Sequence, residues 1–274
     1  LTTIAKTQIE NQEYQEKVKN YLNTGINYPT ALSKALNDII GYTTKDPNDL
    51  LGISYIKEIL KLNSSIKPVL IKRIGSYHGE QEENDIASAS LIRKKIQNQK
   101  KVTQYLPSNT EKYLQKNLTL ENYFPYLKYK IITEKDLSIY QTVDEGIENK
   151  IKKVIYTTNT WKELVESLKT KRYTYNKINR MLIHILTSFT KEEANNIKID
   201  YIRIIGFNKK GKNYLNKIKK ELSIPIITAY QKNFSKNLDL EYRALSIYYL
   251  PFSKELTQKE YQKKPIIEVD EINH

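Results

Sequence analysis

"LLGISYIKEILKL" (50–62), "KPVLIKRIG" (67–75) and "IASASLIRKKI" (86–96) follow one another closely, and together they set the fold class. In the first, Leu51, Ile53, Ile56, Ile59 and Leu60 recur at helical spacing and predict a helix. In the second, β-branched residues crowd ahead of Gly75 and predict a strand. An acidic, glycine-bearing loop, "GSYHGEQEEND" (75–85), comes next, and residues 86–98 predict another helix. Helix, strand, polar loop and helix in this order mark an α/β architecture.

Outward from this unit the pattern becomes more helical. Residues 4–22 predict one amphipathic helix that stops before Gly25, and "YPTALSKALNDII" (28–40) predicts a second with Pro29 in its first turn. From about 101 to 196 nearly everything has helical spacing, with turns at "LPSN", "TLEN" and "TTNT". "IDYIRIIGFNKKGKNYLNKIKKELSIPIITAY" (199–230) then switches to strand, turn, helix and strand. An amphipathic helix over roughly 238–250 and a polar tail, "KPIIEVDEINH", complete the chain. The expected organisation is an α/β domain over 1–115 and a mainly α-helical domain over 116–274 that carries a small α/β unit.

Composition narrows the chemistry. The 274 residues contain no cysteine, which excludes disulfides and thiolate metal sites. No stretch approaches 18 apolar residues, and the first residues are charged throughout, so a soluble, cytoplasmic protein without membrane contact is expected. Forty-five Lys and Arg against 31 Asp and Glu give a net charge of +14, which favours polyanionic partners. Only six of the cations are Arg, so each Arg carries more information than each Lys.

Several motifs meet that charge. In "GFNKKGKN" Gly206, Gly211 and Lys212 have P-loop spacing, but Asn213 stands where magnesium needs Ser or Thr. An ordinary strand-to-helix turn is expected, with Lys209, Lys210 and Lys212 facing solvent or RNA. In "SLKTKRYTYNKINRMLIHIL" (167–186), Arg172, Asn176, Arg180 and His184 align along one helix face beside Lys177, while Ile178, Met181, Leu182 and Ile185 form a buried stripe. Lys171 adds to the cations, and Tyr173 and Tyr175 offer rings on which bases can stack. His78, His184 and His274 are too scattered for a metal cluster or a triad; His78 reads as a solvated loop residue and His184 as a packed helix position. In "IASASLIRKKI", Ser88 and Ser90 can cap a helix start or hold an anion that Arg93, one turn on, also reaches.

"DPNDLLGISYIKEILKLNSSIKPVLIKRIGSYHGE" followed by "IASASLIRKKI", together with "RYTYNKINRMLIHIL" and "YIRIIGFNKKGK", resembles the tRNA(Met) cytidine acetate ligase family, relatives of the adenylyltransferases. The resemblance covers essentially the whole chain. It implies a nucleotidyltransferase-like, Rossmann-related domain, with ATP as a substrate and Mg2+ beside it. It implies formation of acetyl-adenylate from acetate and acetyl transfer to N4 of the wobble cytidine in elongator tRNA(Met). Asn48 in "DPNDLLG" and Arg73 in "IKRIG" match family ATP-binding positions, and Ser88, Ser90 and Arg93 match a serine-rich helix start near the triphosphate. The implied tRNA contacts are Lys171, Arg172, Lys177, Arg180, Lys209, Lys210 and Lys212. The family also opens on a His-x-Gly-His signature that is absent from these residues. Hence the expectation is an incomplete nucleotide-binding domain, with catalytic residues in a preceding segment and no activity from this chain alone. Two alternatives share the basic surface: an adenylyltransferase for a small phosphorylated metabolite, and a non-catalytic RNA-binding module.

Overall fold

The computed structural model describes residues 1–42, 46–71, 86–107, 110, 119–170, 172–252 and 254–268. Its contacts divide the chain into two compact units, Leu1–Leu118 with Thr170–Tyr173, and Thr119–Lys169 with Thr174–His274.

The first unit is built from helices α1 (Thr2–Glu10), α2 (Gln12–Asn23), α3 (Tyr28–Ile40), α4 (Pro47–Lys61) and α5 (Ala89–Gln97). The single helix expected over 4–22 is broken at Asn11. That residue takes an extended conformation, and its side chain accepts the Tyr14 N–H at 2.8 Å, which starts α2 afresh. A short polar side chain that bonds nearby backbone competes with helix continuation, and periodicity alone does not register this. α3 begins as expected, with Pro29 in its first turn and Asn27 accepting the Thr30 N–H. α2 packs on α3 and α1 on α4 around Ile4, Ala5, Tyr14, Val18, Ala31, Ala35, Leu36, Ile53 and Ile56. Ala31 and Ala35, four apart, leave α3 a bare stripe on which its neighbours sit closely.

The strand expected over 67–75 is corrected where it is described. Residues 67–71 belong to no helix or strand, and Val69 and Ile71 are 86% and 92% exposed. β-branched residues favour an extended chain, but a strand also needs a partner ladder, and Pro68 removes a donor from the run. Residues 72–75, Arg73 among them, lie outside the described residues.

The second unit starts with α6 (Phe124–Thr133), α7 (Ile147–Val154), α8 (Trp161–Leu168), α9 (Tyr175–Leu186) and α10 (Lys191–Asn196). These bury Leu127, Ile131, Ile151, Ile155, Leu164, Leu168, Ile178, Met181, Leu182 and Ile185, including the whole stripe expected on α9. The start of α8 is closed from a distance: the Glu121 carboxylate accepts the N–H groups of Trp161 and Lys162 at 2.7 and 3.0 Å. Trp161 in turn donates its indole N–H to Asn179 of α9 at 2.7 Å.

Then follow β1 (Ile202–Arg203), β2 (Gly206–Phe207), α11 (Lys209–Ile218), β3 (Ile226–Ile227), α12 (Lys236–Tyr249), α13 (Lys254–Tyr261) and β4 (Ile266–Ile267). β1 pairs with β3 and β2 with β4, both in parallel, with Ile202 opposite Ile226 and Gly206 opposite Ile266. The tail expected to be merely polar therefore supplies a strand, and α13 is a helix that the sequence pattern did not signal. A Cβ at Gly206 would stand 3.1 Å from the Ile266 carbonyl oxygen, so glycine is what lets β4 come alongside. Ile227, Leu238 and Tyr242 form the core here, and the rings of Tyr230, Tyr242 and Tyr261 pack with centroids 4.0–5.0 Å apart. Their hydroxyls stay bonded at the rim, Tyr230 to Asp239 and Tyr261 with Ser246. Among the described residues no helix is long and apolar enough to cross a membrane.

Candidate nucleotide and RNA interfaces

In the first unit, Asn48 lies in the first turn of α4, exposed, directly after Pro47. α5 begins at Ala89 because Ser88 caps it: the Ser88 hydroxyl oxygen accepts the Leu91 N–H at 3.1 Å. That bond uses a lone pair, and the hydroxyl keeps a proton it can donate to an anion. Ser90 and Arg93 are both exposed on α5 and, three residues apart, are neighbours on its surface. Lys95 turns to Tyr105 instead, its ammonium 3.2 Å from the phenol oxygen and 4.9 Å from the ring centre. The structure thus shows Ser88 as a cap with Ser90 and Arg93 beside it. Arg73 lies outside the described residues, as does His78.

In the second unit, α9 starts only at Tyr175, with Thr174 at its N-cap. Arg172 falls in the bend before the helix and Lys171 outside the described residues, so the helix itself carries Lys177 and Arg180, with Arg180 exposed. Tyr173, which groups with the first unit, is corrected as a stacking surface: it is 6% exposed, whereas Tyr175 is 51% exposed. His184 is packed, as its sequence position implied. Its Nδ1 sits 2.9 Å from the Gln141 carbonyl oxygen and 3.1 Å from the Thr142 hydroxyl, and its ring stands edge-on to Phe189. Burial pushes its pKa down, which favours the neutral imidazole.

The turn that imitates a P-loop is an ordinary capped helix start. The Asn208 carboxamide oxygen accepts the Gly211 N–H at 2.9 Å, and a Cβ on Gly211 would stand 3.2 Å from that of Phe207, closer than ordinary van der Waals contact. Lys209, Lys210 and Lys212 are all exposed, and no acidic residue stands in the first turn. Gly211, Leu215 and Ile218 repeat along the packed side of α11. Tyr214, which sequence reasoning passed over, borders that side, three residues from Gly211 and four from Ile218, and is 62% exposed. Its spacing from Lys210 and Lys217, four and three residues, could have marked it. Among the described residues no three His, Cys, Asp or Glu side chains come together as a metal site.

A family model described as HIGH Nucleotidyl Transferase matches residues 1–264. A tRNA(Met) cytidine acetate ligase of Bacillus cereus is 34% identical over 96% of this chain and 74% of its own length. That of Anoxybacillus flavithermus is 35% identical over 93% of this chain and 70% of its own. Among solved structures, the apo crystal structure of Thermotoga maritima TmcAL superposes with a TM-score of 0.82 at 24% identity, covering 98% of this chain and 74% of that one. A second crystal form of it, bound with alpha-thio ATP, gives a TM-score of 0.80. The family named by the sequence segments is the family these relatives carry, and the helix-rich fold with small parallel sheets is theirs as well.

Proposed function

This chain belongs to the HIGH nucleotidyl transferase family, among the tRNA(Met) cytidine acetate ligases, and on that premise we propose that it serves ATP-dependent acetylation of elongator tRNA(Met). An acetate oxygen attacks the α-phosphorus of ATP, the bond to the β,γ-phosphates breaks, and pyrophosphate leaves. The N4 amine of the wobble cytidine then attacks the carbonyl carbon of acetyl-adenylate, AMP departs, and the nitrogen gives up a proton. The first step concentrates negative charge on the departing phosphates, and the second needs the RNA held still beside the mixed anhydride.

Asn48, Arg73, Ser88, Ser90 and Arg93 are the proposed ATP-side residues. An Asn side chain can both donate to and accept from a nucleoside edge, and an Arg–Ser pair suits phosphate oxygens. Mg2+ enters with the triphosphate, which supplies the oxygen ligands it prefers. On the RNA side stand Lys171, Arg172, Lys177, Arg180, Lys209, Lys210 and Lys212. The single observation behind the proposal is the 34–35% identity to these ligases over nearly the whole chain. Because no His-x-Gly-His occurs in the 274 residues, the proposal includes that they do not activate acetate by themselves.

The test is incubation of the 274-residue chain joined behind a His-x-Gly-His-bearing segment of a family relative with ATP, labelled acetate and tRNA(Met), run beside the 274-residue chain by itself. Label in the anticodon cytidine with the first and none with the second is the expected result. Label in neither sinks the ligase assignment, and acetyl-adenylate made by the 274-residue chain sinks the claim of inactivity.

A further inference from the structure

In the first unit α3 and α4 each pack on α1, and the wedge between them is a cleft of about 690 Å3. Its lining is largely aliphatic: Leu32 and Leu36 come from α3, Leu50 and Ile53 from α4. Leu36 and Ile53 are buried in the core, whereas Leu50 and Tyr28, also in the lining, are exposed. The apolar surface therefore runs from the core out to solvent. A cleft of this size, mostly apolar with a few polar groups, has the form of a small-molecule site.

The charges of the lining are of one sign. Lys34 and Lys57 belong to it, and no Asp or Glu does. Lys34 stands over the Tyr21 ring, its ammonium 5.4 Å from the centroid. Lys57 is half-buried and, among the described residues, has no hydrogen-bond or ion-pair partner. The acid next to it on α4, Glu58, is held by Lys61 at 2.7 Å. An ammonium among aliphatic side chains without a counter-ion is poorly compensated, and an anion that reaches it gains a charge-assisted bond. Aliphatic walls suit an alkyl chain, and one unpartnered ammonium matches one negative charge. Leu50 and Lys57 are seven residues apart, about 10 Å along α4, which leaves room for such a chain between the open end and the cation.

We propose that this cleft binds an amphipathic monocarboxylate, its alkyl chain over Leu32, Leu36, Leu50 and Ile53 and its carboxylate at the Lys57 ammonium. None of the residues proposed above for ATP or tRNA lines the cleft, so this site stands or falls apart from the ligase reading. Acetate has no chain to bury and is not its ligand.

The experiment is isothermal titration of the 274-residue chain with octanoate, with octylamine, which keeps the tail and reverses the charge, and with acetate, which keeps only the charge. Octanoate should bind, and the other two should bind about tenfold more weakly or less. Lys57→Met keeps the length of the side chain and drops its charge; it should weaken octanoate about tenfold, while Lys57→Arg stays within about threefold of wild type. Wild type that does not bind octanoate overturns the proposal and leaves the cleft to a protein segment. Octylamine that binds as well as octanoate overturns it too, because the tail is then held without regard to charge. Unchanged octanoate affinity in Lys57→Met removes the carboxylate from Lys57 and sinks the assignment. Equal losses in Lys57→Met and Lys57→Arg mean that shape rather than charge at position 57 holds the ligand, and the assignment again fails.

Discussion

α5 and α11 are close in length, begin on a side-chain cap and carry several cations, yet only α11 crowds three of them into its first turn. α5 opens on Ala89 and Ser90 and keeps Lys94 and Lys95 for its last turn, where the negative end of the helix dipole favours them. α11 puts Lys209, Lys210 and Lys212 within its first four residues, against the positive end. Lys94 and Lys95 of α5 help their helix, as does Lys217 of α11, whereas Lys209, Lys210 and Lys212 are there in spite of it. RNA phosphate outside the helix is the anion proposed to offset that arrangement.

The contrast breaks most visibly in binding. Replacing Lys209, Lys210 and Lys212 together by Ala should lower tRNA affinity on the order of 100-fold and flatten its salt dependence, by roughly 0.7–0.9 in slope for each phosphate no longer neutralised. ATP affinity should not change, and isothermal titration over a salt series reads both. Arg93→Ala should do the converse, weakening ATP about tenfold with tRNA affinity intact, as expected for a charge-assisted bond to phosphate. If either variant moves both ligands equally, the two helices are not serving different partners.

The caps sharpen the comparison at a lower energy. Ser88→Ala and Asn208→Ala should each cost about 1 kcal/mol in urea unfolding, because each leaves a first-turn N–H without its acceptor. If Asn208→Ala is neutral, the first turn of α11 is held by something other than its cap. The smallest effect carries an opposite sign in the two helices. Lys209→Glu should stabilise the chain by about 0.5 kcal/mol while harming RNA binding, and Lys94→Glu should destabilise it by a similar amount. Equal signs in thermal melts at low salt would remove the dipole from the explanation.

Much of this is legible in the chain. The starts of α3 and α5, the buried stripe of α9, the packed His184 and the strand–helix–strand order near residue 200 all follow from spacing and capping residues. Signals of that kind act over one or two helical turns, and the partners are already neighbours in sequence. The family itself is legible because several collinear segments carry it. The candidate site is legible as residue types rather than as arrangement: Ser88, Arg93, Arg180 and the α11 lysines stand out, but Tyr173 reads as an open ring and Tyr214 goes unnoticed. A tyrosine reads alike in both settings, and only packing buries one to 6% exposure and leaves the other at 62%.

The amino-acid sequence by itself determined most of the helices, their caps, the cationic balance and the kinship, all of which depend on local spacing or on composition. The tertiary structure decided that Val69 and Ile71 stand exposed outside any strand, that Glu121 closes α8 from 40 residues away, and that Ile266 and Ile267 return to pair with β2. Each of those outcomes turns on a partner far along the chain, and a ladder or a distant cap exists only once the fold has brought that partner within bonding distance.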